Sequence, residues 1–237
     1  MKIICLLFLC FLIYSLVGWT YEVIVSLIRK HKFINRGYLL GPICPVYGFG
    51  SLLITLLLEE HKGNIIHSFI STILICSILE YFTSFIMEKA FKTRWWDYTY
   101  KKYNLNGRIS LDVMLLFGFA GMFILYIMNP FLTRLLSNIN DITLYTISTI
   151  LFVLLIIDMI LSTKVTLKIR GTITNYEKDS TEEITKKIRE YLSRKGYLYK
   201  RINEAFPSMI NSKERLIELR KKINSELDRL NSKIKYK

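Results

Sequence analysis

What the chain lacks narrows its chemistry first. It has no glycine-rich phosphate loop of the Walker type, no HExxH helix and no GxSxG elbow. It therefore carries no ATPase of its own, and hydrolysis by any familiar scheme is unsupported. Cysteine is scarce. Cys5, Cys10, Cys44 and Cys76 all sit in apolar segments, and none pairs with a second Cys or a His at metal-ligand spacing. Cys5 and Cys10 lie five apart on one helix, which is poor geometry for a disulfide, so buried thiols acting as small hydrophobes are expected. No metal site and no cofactor is expected. Negative charge is also short: 19 Asp and Glu stand against 33 Lys and Arg, for a net charge of +14 over 237 residues.

What is present is apolar, at 51% hydrophobic residues, and unevenly spread. Residues 1–163 hold 13 Lys/Arg and 9 Asp/Glu, a net +4, while residues 164–237 hold 20 and 10, a net +10. Five long apolar stretches fill the first part: Ile3–Ile28, Tyr38–Leu58, Ile65–Met87, Ile109–Leu132 and Ile142–Ser162. Each approaches the ~20 residues that cross a bilayer. The first is too long for a signal peptide and lacks a small-residue cleavage site, so it is expected to be retained. The expectation is an all-α membrane protein: a bundle of five transmembrane helices over 1–163 and a basic helical tail over 164–237.

Lys and Arg fall into every second loop. Arg29, Lys30, Lys32 and Arg36 follow the first stretch. Lys89, Lys92, Arg94, Lys101, Lys102 and Arg108 follow the third, and Lys164, Lys168 and Arg170 follow the fifth. The other side has only Lys2, Lys62 and Arg134. Positive charge stays on the cytoplasmic face, beside anionic lipid. This predicts a multi-pass protein of the bacterial cytoplasmic membrane, with its N-terminus outside and its C-terminus inside. The same balance accounts for the basic pI without any nucleic-acid partner.

In the tail, the alternation Val165-Thr-Leu-Lys-Ile-Arg followed by Gly171 and Asn175 predicts a short strand or loop. Thr181 is a candidate cap for a following helix. Leu216, Ile223 and Leu230 recur at seven, flanked by Leu219, Leu227 and Ile234. That is an amphipathic, coiled-coil-like stripe, suited either to packing on the tail itself or to a homo-oligomer or partner helix.

Three constellations carry the candidate chemistry. Ser77, Glu80, Ser84 and Glu88 share one face of the third stretch, with Glu22 near the end of the first. Carboxylates in membrane helices face the interior, where they serve either a relay or binding site or a structural ion pair. Arg36, Arg94 and Arg108 are the expected partners. Between Asn35 and Gly50, the sequence Gly41-Pro42, Pro45, Tyr47 and Gly48 predicts a broken or kinked lead-in to the second stretch. Beyond the third stretch, Trp95, Trp96 and Tyr98 suit a membrane interface. Asp97 suits an ion pair with Arg94, and Asn106-Gly107 marks a turn beside Asn104 and Arg108.

The runs NRGYLLGPICPVYGFG, LEYFTSFIMEKAF and WWDYTYKKYNLNGRI, in that order, resemble the bacterial putative ABC-transporter type IV permease family over about residues 8–165. The resemblance implies a helical protein of the cytoplasmic membrane, working with a separate ATP-binding subunit. It marks Glu22, Asn35, Arg36, Gly37, Gly41, Pro42, Cys44, Pro45, Tyr47 and Gly48. Further along it marks Glu80, Glu88, Trp95, Trp96, Asp97, Tyr98, Asn104, Gly107 and Arg108. Phe117 stands where family members often have Trp, and the tail lies outside the shared region. The expected function is a permease-like subunit, in which Glu22, Asn35, Arg36, Glu80, Glu88, Asp97, Asn104 and Arg108 line a polar cavity near the cytoplasmic face. The alternatives are a membrane-embedded enzyme or binding protein for a lipid or lipid-linked substrate, and a sensory protein working through its tail. With five spans in one small chain, homo-oligomerisation is expected.

The charge pattern predicts a specific topology. A reporter fused at the C-terminus, or in the 29–36 loop, should read cytoplasmic, and one fused near Lys62 should read external. An external C-terminal signal would overturn the orientation.

Overall fold

The computed structural model describes residues 1–91, 94–176, 201 and 204. Among these the architecture is a helical bundle. Its helices are α1 (Lys2–Lys30), α2 (Pro45–Leu58), α3 (Ile65–Phe91), α4 (Leu111–Phe123), α5 (Asn129–Ser137) and α6 (Asp141–Tyr176). A π turn, Ile124–Met128, joins α4 to α5. Four helical stretches are long and apolar enough to cross a membrane: Lys2–Arg29, Ile65–Phe91, Leu111–Ser137 and Asp141–Lys168. At 1.5 Å per residue each reaches ~40 Å, more than the ~30 Å hydrocarbon layer.

The second stretch departs from the sequence expectation of five transmembrane helices. Its helix, α2, has only 14 residues, about 21 Å. Residues 31–44 ahead of it are not helical. The reason is local. His31 takes a left-handed conformation (φ 49°) and ends α1. Pro42 and Pro45 then exclude helix before them, and Pro45 opens α2 in the first turn, where a missing N–H costs nothing. The break covers 31–44, so Tyr47 and Gly48 belong to regular helix. Two further departures concern length. α6 runs on through Tyr176, across the residues whose alternation predicts a strand or loop. Extension of an existing helix adds one hydrogen bond per residue fixed, so the long span carries these residues with it. The helix expected after Thr181 and the heptad stripe at 216–234 lie outside the described residues.

We call the end holding the start of α1 the upper end and the other the lower end. α1 and α6 run parallel downward: Lys2 pairs with Asp141 (2.6 Å) at the top, and Phe8 meets Phe152 below. α2 returns antiparallel along α1. There, glycine makes the approach possible: a Cβ on Gly18 would collide with the Tyr47 ring, and one on Gly48 with Ser15 Oγ and Phe11. Gly118 and Gly121 of α4 do the same against Phe69 and Thr72 of α3. Small residues that let helices close are the usual means of packing where both sides are apolar. The π turn has an identifiable cause. Pro130 follows it, lacks an N–H and crowds the carbonyl four residues back. Next to it, Tyr14 donates to Asn129 Oδ1, as does Thr55 at 3.1 Å.

Overpacking the α1–α2 contact should be costly. Gly48→Leu is expected to destabilise the fold by about 1–3 kcal/mol or more, read as a lowered unfolding temperature in detergent. Gly63→Ala, where nothing lies within 4 Å of the added carbon, should leave it unchanged.

Candidate functional site

The irregular segment 31–44 does not stay at the lower surface. Cys44 N donates to Ser15 O (3.0 Å), halfway along α1. Leu40 N donates to Asp158 Oδ1 and Gly41 N to Asp158 Oδ2, both at 2.8 Å. Asp158 sits seventeen residues into α6, and Ser162 Oγ donates to the same carboxylate at 2.9 Å. Asn35 closes the outer part of the segment. Its Oδ1 accepts from Trp19 Nε1 (2.7 Å) and from Gly37 N (3.2 Å), and its Nδ2 donates to Leu40 O (3.1 Å). Two side chains therefore satisfy backbone groups that no helix satisfies.

With the segment fixed, Arg36 reaches Glu22 on α1 (3.3 Å), and Tyr47 OH donates to the other oxygen of the same carboxylate (2.7 Å). The Tyr47 side chain also lines a cavity between α2, α3, α4 and the π turn. Gly50, Ile54, Leu79, Ala120 and Ile124 make most of its wall apolar, and Glu80 supplies its one carboxyl. Glu80 is half-buried and has no hydrogen bond or ion pair among the described residues. Every other acid of the spanning helices has one. Glu22 has Arg36 and Tyr47, Glu88 has two arginines, Asp112 has Lys101 and Ser110, Asp141 has Lys2, and Asp158 has the two backbone amides.

One turn further down, Ser84 and Glu88 continue the face of Glu80. Arg108 Nη1 lies 2.8 Å from Glu88 and 3.3 Å from Ser84 Oγ, over the rings of Tyr81 and Phe85. Arg94 reaches both Glu88 (3.3 Å) and Asp97 (3.7 Å). The hairpin β1 (Asn104–Leu105) to β2 (Ile109–Ser110) presents Arg108. Asn106 (φ 53°) and Gly107 (φ 67°) both occupy the left-handed region, and Arg108 N donates to Leu105 O (3.0 Å). This is the mirror-image turn that Asn-Gly favours. A Cβ at Gly107 would strike Arg94 and Asp97. Asp97 Oδ1 accepts from Thr99 N, and Asn104 bonds Gly107 N and Lys101 O. These two residues serve the loop. Trp95 is buried against Tyr38 and Phe91. Trp96 Nε1 donates to Arg108 O (3.1 Å). Burial, and after it the charges of Glu80 and Glu22, push the Tyr98 phenol well above its ordinary value.

A family model described as "Putative ABC-transporter type IV" matches residues 9–163. The chain belongs to that family. No curated protein and no solved structure matches it. The match supports a transporter-related, multi-pass membrane subunit. It takes in α1 to α5 and most of α6 but stops short of the tail.

The sequence-predicted residues thus fall into two groups. Tyr47 and Glu80 line the cavity, with Glu22 and Arg36 paired at the Tyr47 hydroxyl, while Glu88, Arg94, Asp97, Asn104 and Arg108 brace the hairpin and its loop. Sequence reasoning missed Asp158, a single acid in an apolar run with no other polar residue at helical spacing except Ser162. It also missed the Tyr14–Asn129 pair. The presence of an acid inside a membrane span was the available signal for Asp158.

Asp158→Leu should leave the Gly41 amide without an acceptor and the Leu40 amide with Ser162 Oγ alone (3.1 Å), and destabilise the fold by about 2–4 kcal/mol. Asp158→Asn, which keeps one acceptor, should cost less. Hydrogen exchange at those two amides should accelerate in the same order.

Proposed function

We propose that the chain is the permease-like subunit of a transporter energised by an ATP-binding protein on another chain. It crosses the cytoplasmic membrane five times, with the lower end cytoplasmic. In this reading the lead-in at 31–44 and the short α2 together complete one crossing, and the 29–36 and 94–108 loops face the cytoplasm. The cavity beside Glu80 is the polar station for the transported species. Tyr47, held by Glu22 and through it by Arg36, borders the cavity, and Glu88 with Arg108 holds the hairpin beneath.

One observation carries the proposal. In an apolar cavity at membrane depth, Glu80 keeps a carboxyl with no hydrogen bond or ion pair among the described residues, although arginines pair with Glu22 and Glu88. An acid left in that state is costly and suits a group that meets its partner from outside the chain. The enzyme reading needs Asp97, Asn104 and Arg108 available to a head group, and all three already have partners: Asp97 has Arg94 and Thr99 N, Asn104 has Gly107 N and Lys101 O, and Arg108 has Glu88.

Mild-detergent capture of the tagged protein from its own membrane should recover an ATP-binding subunit. Recovery of the protein alone with a co-purifying lipid would overturn the transporter reading. Glu80→Gln should insert normally and recover the same partner, while ATP hydrolysis by the reconstituted complex falls about tenfold, equivalent to ~1.4 kcal/mol. Unchanged hydrolysis would remove Glu80 from the mechanism.

A further inference from the structure

Beyond the family-matched region, Arg201 and Glu204 contact the segment between α1 and α2. Arg201 Nη2 donates to Gly37 O at 2.5 Å, to Leu39 O, and to Asn35 Oδ1 at 3.3 Å. Arg201 is only 5% exposed. Glu204 pairs with Lys32 at 3.0 Å. Three oxygens from a five-residue stretch therefore converge on one guanidinium nitrogen.

Other residues of the bundle build those oxygens into place. Trp19 Nε1 and Gly37 N hold Asn35 Oδ1, Asn35 Nδ2 holds Leu40 O, and Asp158 grips the Leu40 and Gly41 amides just beyond. The cradle is a set of fixed acceptors and so recognises a cationic donor. The three oxygens share the two N–H groups of Nη2, and the guanidinium, being more weakly hydrated than an ammonium, loses less on being buried against neutral acceptors.

We propose that Asn35 Oδ1, Gly37 O and Leu39 O form a guanidinium-binding cradle, and that its resident occupant is Arg201 of the same chain. The tail is thereby docked on the segment that leads into α2. Arg36, which holds Glu22, lies inside the five-residue cradle. Seating or release of Arg201 thus acts on the backbone that carries Arg36 to the Glu22–Tyr47 pair. The docking itself does not depend on what, if anything, the cavity carries.

Carbodiimide cross-linking of the full-length protein in detergent tests it. The reagent joins a lysine and a carboxylate in contact, so a Lys32–Glu204 amide should appear by mass spectrometry. Its yield should fall several-fold in Arg201→Ala and partly recover in Arg201→Lys. Ethylguanidinium chloride added to the unmutated protein should suppress it more than sodium chloride at equal ionic strength. That arm needs no variant and stands even if Arg201→Ala fails to fold. Absence of the cross-link, or a yield indifferent to Arg201→Ala, would overturn the docking. Equal suppression by the two salts would overturn the cradle and leave only a surface ion pair.

Discussion

The constraint on which this structure depends is the satisfaction of backbone hydrogen bonds where the chain enters the bundle without a helix. In hydrocarbon an unpaired N–H or C=O costs several kcal/mol, so irregular backbone survives at membrane depth only when protein groups pair it. Residues 31–44 meet that demand with few side chains. Asp158 takes two consecutive amides, Asn35 takes an amide and a carbonyl, Ser15 O takes the Cys44 amide, and Arg201 takes two carbonyls. None of these partners belongs to a repeating ladder. Each is a single point of attachment, and the segment's path is the sum of them.

The positions of the functional groups follow from that path. Because the segment climbs to the middle of α1 before Pro45, α2 is short, and Tyr47 falls at the level of Gly18. There the absent Cβ leaves room for the phenol ring. The same residue then reaches Glu22 with its hydroxyl and lines the cavity. Had α2 begun at Tyr38, as a full-length span would, Tyr47 would lie near the centre of a regular helix and Arg36 would have no route back to Glu22. The prolines and glycines that look like defects in a spanning helix are what bring a loop arginine and a helix carboxylate together.

Much of this was legible in the sequence. The apolar runs and the alternating positive loops fix the helical membrane class, because bilayer thickness and lipid charge act on any chain in the same way. The Asn106-Gly107 turn is legible because its backbone conformation excludes most other residues. The lead-in is legible as irregular from its prolines, although its bounds fall earlier than expected. Asp158 is a different kind of case. Its partners are backbone amides more than a hundred residues away, and an amide has no residue identity for a pattern to detect. The burial of Trp95 was hidden for a related reason: an aromatic at a helix end packs inward or faces lipid according to its neighbours, here Tyr38 and Phe91. The continuation of α6 past residue 164 was hidden because alternation over six residues is too short to outweigh a helix already formed.

The contrast among the acids gives the cavity its meaning. Glu22 and Glu88 lie toward the lower end, have arginines within 3.3 Å, and are partly open to solvent, so their charges are compensated where they stand. Glu80 lies two turns above Glu88 on α3, where the bundle offers it Tyr47, small residues and aliphatic walls. If its role were to fix helix register, an arginine at the level of Ser84 would serve it, as Arg108 serves Glu88 one turn below. Arg108 instead reaches downward to Glu88 and stops at Ser84. The hairpin that carries it is held rigidly by Asn104, Gly107 and Asp97. The bundle thus commits Arg108 to the residues one and two turns below Glu80, and the Glu80 carboxyl faces the cavity without an ion pair among the described residues.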